Sequence, residues 1–220
     1  MPDLSFQIDG AEARNYAAVP TIALKLQIRN SPAEQSVHNI VLKCQVQIEP
    51  IKRRYSSQEQ SGLRDLYGEP SRWALTVRPL HWMNTAVTVP AFREVTSVGL
   101  ELPCSFDFNL AATKYFHALE AGEIPLTVMF SGTIFYADSD GQLQAAQTPW
   151  DREASYRLPV EVWKKMMDLY YPNAAWLSLQ RDVFEKLLDY KVRNGIPSFE
   201  RALEELLQQE REVAVRSVKA

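Results

Sequence analysis

The sequence predicts a mainly β fold with α: an antiparallel β-sandwich, immunoglobulin-like in plan, of about eight or nine strands with a C-terminal helical extension. Three observations carry that class. Ile22, Leu24, Leu26 and Ile28 alternate with Ala23, Lys25, Gln27 and Arg29, and Ile40, Leu42, Cys44, Val46 and Ile48 alternate in the same way, the period-two mark of strands with one buried face. Turn formers interrupt such runs at sandwich spacing, most plainly at Asp138-Ser139-Asp140-Gly141, where Asp-Gly supplies the positive φ values of a tight hairpin. After Pro159 the period lengthens: Trp163, Met166, Met167 and Tyr170 fall at helical spacing, and Pro172 stops the run.

Taken in order, Leu4, Phe6 and Ile8 alternate before Gly10 and predict a short opening strand. The two strong runs between Thr21 and Ile48 are joined by the polar stretch Asn30 to Ser36, so the simplest expectation is that they pair with each other as an antiparallel hairpin. Pro50 ends the second run, since proline cannot donate to a ladder. In the connection that follows, Leu63, Leu66 and Tyr67 ahead of Gly68 predict a short helix over Ser57 to Tyr67. Trp73, Leu75 and Val77 alternate as a strand would, and Trp82 to Val89 forms another after Pro79. Val95 to Phe108 reads as strand, with Phe106 and Phe108 continuing past Pro103, and Ala111 to Glu120 as helix. Ile124 to Ala137 is strongly aromatic and β-branched, its return strand spans about Gln142 to Gln147, and Ser155 to Leu158 adds another. A second C-terminal helix runs from Ser178 to Arg193 with Gly195 and Pro197 as its stop, and Ser198 caps a third whose stripe is Phe199, Leu203, Leu206 and Leu207. The expected organisation is a sandwich over 1–158, helices over 159–209 packed on the sandwich or on a partner, and a flexible tail over 210–220.

Composition narrows the classes of function. The 220 residues are 46% hydrophobic, enough for a full core, and 24 Lys and Arg against 27 Asp and Glu give a net charge of -3. That balance does not recruit nucleic acid. No stretch approaches the roughly 18 apolar residues of a membrane span, and the expectation is a cytoplasmic protein. Cys44 and Cys104 lie in predicted strands and read as reduced core thiols, bridgeable only if those strands are neighbours.

Catalytic signatures are missing. His38, His81 and His117 show none of the spacings that specify a metal site, Gly-x-Ser-x-Gly does not occur, and the eight glycines form neither a phosphate loop nor a dinucleotide fingerprint. No catalytic residue, metal or cofactor is expected. Binding composition is richer. Between Lys52 and Trp82 the chain interleaves Arg53, Arg54, Arg64, Arg72 and Arg78 with Tyr55, Tyr67, Trp73 and Trp82, the residue types that hot spots favour. The competing reading is that the aromatics plug one end of the core. A second candidate face is Trp163, Met167 and Trp176 on and after the first C-terminal helix, again either a partner surface or core. The candidate binding residues are therefore Arg53, Arg54, Trp73, Arg78, Trp82, Trp163, Met167 and Trp176.

Several stretches together carry a resemblance: Ile48-Glu49-Pro50, Arg53-Arg54-Tyr55-Ser56, Tyr67-Gly68-Glu69-Pro70, Thr76-Val77-Arg78-Pro79-Leu80, Lys114-Tyr115-Phe116-His117-Ala118-Leu119, Phe130-Ser131-Gly132-Thr133 and Tyr156-Arg157-Leu158-Pro159-Val160. They resemble an uncharacterised bacterial family, a domain of unknown function, over nearly the whole chain. The resemblance implies genes that neighbour nickel-iron hydrogenase genes, and so an accessory role with a hydrogenase subunit or maturation factor as partner. It carries no catalytic residue. The leading expectation is a non-enzymatic protein-binding accessory factor; the alternative is a module that holds an anionic or planar small ligand with Trp73, Arg78 and Trp82.

Overall fold

The computed structural model describes residues 2–32, 35–104, 110–174, 177 and 179–218, with side chains described as far as 211. It divides into two compact units, 1–174 and 175–220. In the first, the chain runs β1 (Asp3–Ala13), β2 (Thr21–Ser31), β3 (Val37–Ile48), three short helical turns α1 (Ser57–Gly62), α2 (Arg64–Tyr67) and α3 (Trp73–Thr76), then β4 (Leu80–Val89), β5 (Val95–Pro103), α4 (Leu110–His117), β6 (Glu123–Ala137), β7 (Leu143–Gln147), β8 (Glu153–Pro159) and α5 (Val160–Tyr170). The fold is mainly antiparallel β, eight strands in two sheets: β1-β2-β5, and β4-β3-β6-β7 with β8 also on β6.

One expectation is corrected at once. β2 and β3 do not pair with each other: β2 lies between β1 and β5, and β3 lies between β4 and β6. Both runs alternate because each puts a row of fully buried residues into the space between the sheets, Ile22, Leu24, Leu26 and Ile28 from one and Ile40, Leu42, Val46 and Ile48 from the other. Alternation records a buried face, and the partner strand is left unspecified by it. Cys44 on β3 and Cys104 after β5 are accordingly on different sheets and both free; burial pushes both thiols up to about 12.

Trp73 to Val77 is likewise corrected from strand to helix: α3 forms there, and the Trp73 indole N–H donates to the Gly68 carbonyl at 3.0 Å. Three apolar residues at period two are too short a signal to outweigh that local closure. β1 is longer than the alternating triplet, continuing through a register shift between Ile8 and Gly10. Phe106 and Phe108 lie outside the described residues. The β6 strand, the hairpin turn at Asp138 to Gly141, and the β7 and β8 returns stand where the sequence predicts them. Gly132 on β6 has φ 150°, and a Cβ there would lie 2.1 Å from the Val41 carbonyl oxygen, so β3 and β6 approach more closely than any side chain allows.

α5 buries Val160, Trp163, Met166 and Met167 in the core of the first unit. Its last turn is tied down by the Tyr170 hydroxyl, which donates to the Arg14 carbonyl at 2.9 Å and accepts from the Ala17 N–H at 2.8 Å. The second unit is a pair of helices, α6 (Arg181–Arg193) and α7 (Phe199–Val218). Gly195 turns the chain at φ 64° and the Ser198 hydroxyl caps α7 at the Arg201 N–H. Ile196 and Ala202 are buried there and Phe184 meets Phe199 ring to ring, while Val183, Phe184, Leu188, Val192, Leu206 and Leu207 stay exposed.

Candidate binding surface

The Arg- and Trp-rich segment folds into a sealed cap. Arg53, followed closely by α1, turns its guanidinium inward: Nη2 sits 2.5 Å from Glu59 Oε1 with both side chains buried, and the same group donates to the carbonyls of Glu123 at 2.7 Å and Ala121 at 2.6 Å. Glu59 serves also as the third residue of a capping box. Its carboxylate accepts from the Ser56 N–H while its own N–H donates to the Ser56 hydroxyl, and it takes a further donor from the Glu120 N–H. Burial works to raise the Glu59 pKa, but those backbone donors and the Arg53 guanidinium outweigh it and hold the carboxyl below its ordinary value. One buried pair thus joins the start of α1 to the segment leading into β6.

The aromatics close around it. Tyr55 and Tyr67 each meet Trp73 edge-on at 5.4 and 5.8 Å, Tyr115 lies against both tyrosines, and Phe116 joins Trp82 at 4.8 Å to Trp163 at 5.5 Å. The Tyr55 and Tyr115 hydroxyls bond at 2.9 Å, and Tyr55 also donates to the Pro50 carbonyl. Burial pushes Tyr55 up to about 12 and raises Tyr67 and Tyr115 further. The Tyr67 hydroxyl is buried with no hydrogen-bond partner among the described residues.

The structure therefore distributes the eight predicted residues as follows. Arg53, Trp82, Trp163 and Met167 are interior, and Trp73 is half-buried against the two tyrosines. Arg54 and Arg78 are exposed, the latter donating to the Val77 carbonyl. Trp176 lies outside the described residues. His38, His81 and His117 are exposed and spread over different elements, and no group of three or more His, Cys, Asp or Glu that would hold a metal occurs among the described residues.

A tryptophan that composition did not single out stands elsewhere. Trp150, in the loop between β7 and β8, is 93% exposed. Beside it, β7 ends the larger sheet, with no described strand beyond it. The Thr148 N–H donates to Gly132 and the Asp138 N–H to the Gln142 carbonyl, which sets the phase of the ladder: the even-numbered residues bond to β6, and the backbone groups of Leu143, Ala145 and Gln147 point away from it. Other edges are guarded. β4 and β5 cover one another, with the Thr85 hydroxyl donating to the Glu101 carbonyl, and β1 carries Asp3, Asp9 and Glu12 and packs near β8. The β7 stretch Leu-Gln-Ala-Ala-Gln has no charge, and Leu143 is 65% exposed. The signal available in the sequence was Trp150 between Pro149 and Asp151, apolar yet outside every periodic run.

The outer face of the same sheet holds two shallow depressions. One of about 530 Å³ is lined by Lys43, Gln45, Asn84, Thr85 and Ser131; another of about 520 Å³ by Lys52, Ser155, Tyr156 and Arg157. No helix among the described residues is long and apolar enough to cross a membrane.

Fold and surface together define a two-sheet antiparallel β protein with a sealed aromatic cap and, among the described residues, an open sheet edge at β7. The chain belongs to a family of unknown function, DUF6084, whose family model matches residues 1–215. No curated protein matches it.

Proposed function

We propose that this chain is a non-enzymatic, protein-binding accessory factor that takes an extended segment of its partner onto the β7 edge, with Trp150 as the anchoring side chain. The observation that carries the reading is Trp150 at 93% exposure beside an uncharged strand whose outer side meets no other strand among the described residues. An extended segment laid along β7 satisfies the outward groups of Leu143, Ala145 and Gln147, and a tryptophan at its end supplies the buried aromatic contact that dominates binding energies. The strand order β1-β2-β5 over β4-β3-β6-β7 supports an immunoglobulin-like sandwich, a class that presents sheet edges and end loops to partners. The exposed apolar residues of α6 and α7 support a helical extension that serves the same purpose.

The test is affinity capture of the tagged full chain from its native cells, in parallel with Trp150→Ala and Ala145→Pro. Ala145 bears an outward N–H, so proline there removes a donor to the partner without removing a bond to β6. A stoichiometric partner lost with both variants supports the reading; retention by both sinks it. A hydrogenase subunit or maturation factor is the partner that the resemblance implies, and recovery of an unrelated protein would remove that part alone. The small-ligand reading keeps one supporting observation, the depression beside Lys43 and Asn84, because Trp82 is buried against Phe116 and not offered to a ligand.

A further inference from the structure

The charges around the open edge are acidic with one exception. Asp138 and Asp140 stand in the turn that leads into β7, and Asp151 and Glu153 follow Trp150 at the other end. Asp138 is held in place by the Gln144 side chain and by the N–H groups of Asp140 and Gln142, so its carboxylate is a fixed part of the rim. Within this stretch the one cation is Arg152, and it is paired with Asp3 at 2.5 Å. The strand between the two acidic ends is uncharged.

From this pattern we infer that the segment captured on β7 is a basic one: an extended stretch in which apolar side chains alternate with Lys or Arg. The inference rests on the strand-addition reading above. An added strand places alternate side chains on the face that carries the exposed Leu143, its end beside the exposed Trp150, and both its ends beside the carboxylates at the limits of β7. The same rim argues against a second copy of this chain as the occupant. Antiparallel self-pairing of β7 about a two-fold axis would bring the Asp138 and Asp140 end of one copy against the Asp151 and Glu153 end of the other, acid against acid.

The experiment uses the full chain and three fluorescein-labelled ten-residue peptides, alternating Lys-Val, Thr-Val and Glu-Val, with binding read by fluorescence anisotropy at low and high salt. Lys-Val is expected to bind tightest and Glu-Val weakest. Asp151→Asn with Glu153→Gln should weaken Lys-Val about fivefold, as two exposed ion pairs would, and leave Thr-Val unchanged. Glu204→Gln with Glu205→Gln, on α7, should change neither. Equal binding of Lys-Val and Thr-Val, or equal weakening by the α7 variant, overturns the basic partner while strand addition stands. If no peptide binds, or if binding survives both Ala145→Pro and Trp150→Ala, the β7 site itself is wrong and the inference falls with it.

Discussion

The aromatic cap and the β7 rim are opposite uses of the same residue types. In the cap, Trp82, Tyr67, Tyr115 and the Arg53 guanidinium are turned inward; Arg53 pairs with Glu59, and Tyr55 bonds to Tyr115, which lies against Phe116. At the rim, one tryptophan and a short run of uncharged backbone face solvent. The cap holds the long β3 to β4 connection onto the sheets, and its cost and benefit are paid in folding stability. The rim contributes little to stability, so its apolar exposure calls for an account in terms of binding.

Substitutions should separate the two regions cleanly. The largest loss is expected from Phe116→Ala, which empties the centre of the cap between Trp82 and Trp163: about 4 kcal/mol in urea unfolding. A loss below about 1 kcal/mol would mean that the cap does not seal the core. Glu59→Gln leaves the Arg53 guanidinium buried without its counter-charge and should cost about 3 kcal/mol. It also has a pH signature. Because the folded-state pKa of Glu59 lies below the ordinary 4.5, its contribution is fully present above 4.5 and is lost as pH falls below that value through the folded pKa. Stability measured from pH 7 down to 3 should therefore fall less steeply in Glu59→Gln than in the wild type, and parallel curves would place the pair's charge elsewhere.

Two tyrosines refine the picture at the next level. Tyr55→Phe removes bonds to Tyr115 and to the Pro50 carbonyl and should cost about 1 kcal/mol. Tyr67→Phe deletes a buried hydroxyl that has no partner among the described residues, so thermal unfolding should show an unchanged or raised Tm. Equal losses for both would show that Tyr67 is bonded in solution. The smallest effect on stability belongs to Trp150→Ala, within about 0.5 kcal/mol of wild type, although it should abolish partner capture. If it destabilises as the cap variants do, the comparison between the regions fails.

Much of the fold was legible because it is written in local periods. The β6 to β7 hairpin follows from Asp140-Gly141 between alternating runs, and α5 from the spacing of Trp163, Met166, Met167 and Tyr170. The Ser56 to Glu59 capping box was present as letters too, though its second role as the anchor of Arg53 was not. Trp82 and Trp163 are buried, the interior environment that stands as the alternative to binding for both stretches.

What the order of residues decided was the set of buried faces and the places where the chain turns, since both depend on neighbours a few positions away. Pairing was decided elsewhere. That β2 and β3 face each other across the core, each in its own sheet, depends on β1, β5, β4 and β6 competing for their edges. That Trp82 is sealed and Trp150 bare depends on Phe116, 34 positions from each, reaching one and not the other. Exposure is a property of what packs against a side chain, and those contacts come from residues far apart in sequence that meet only when the two sheets close.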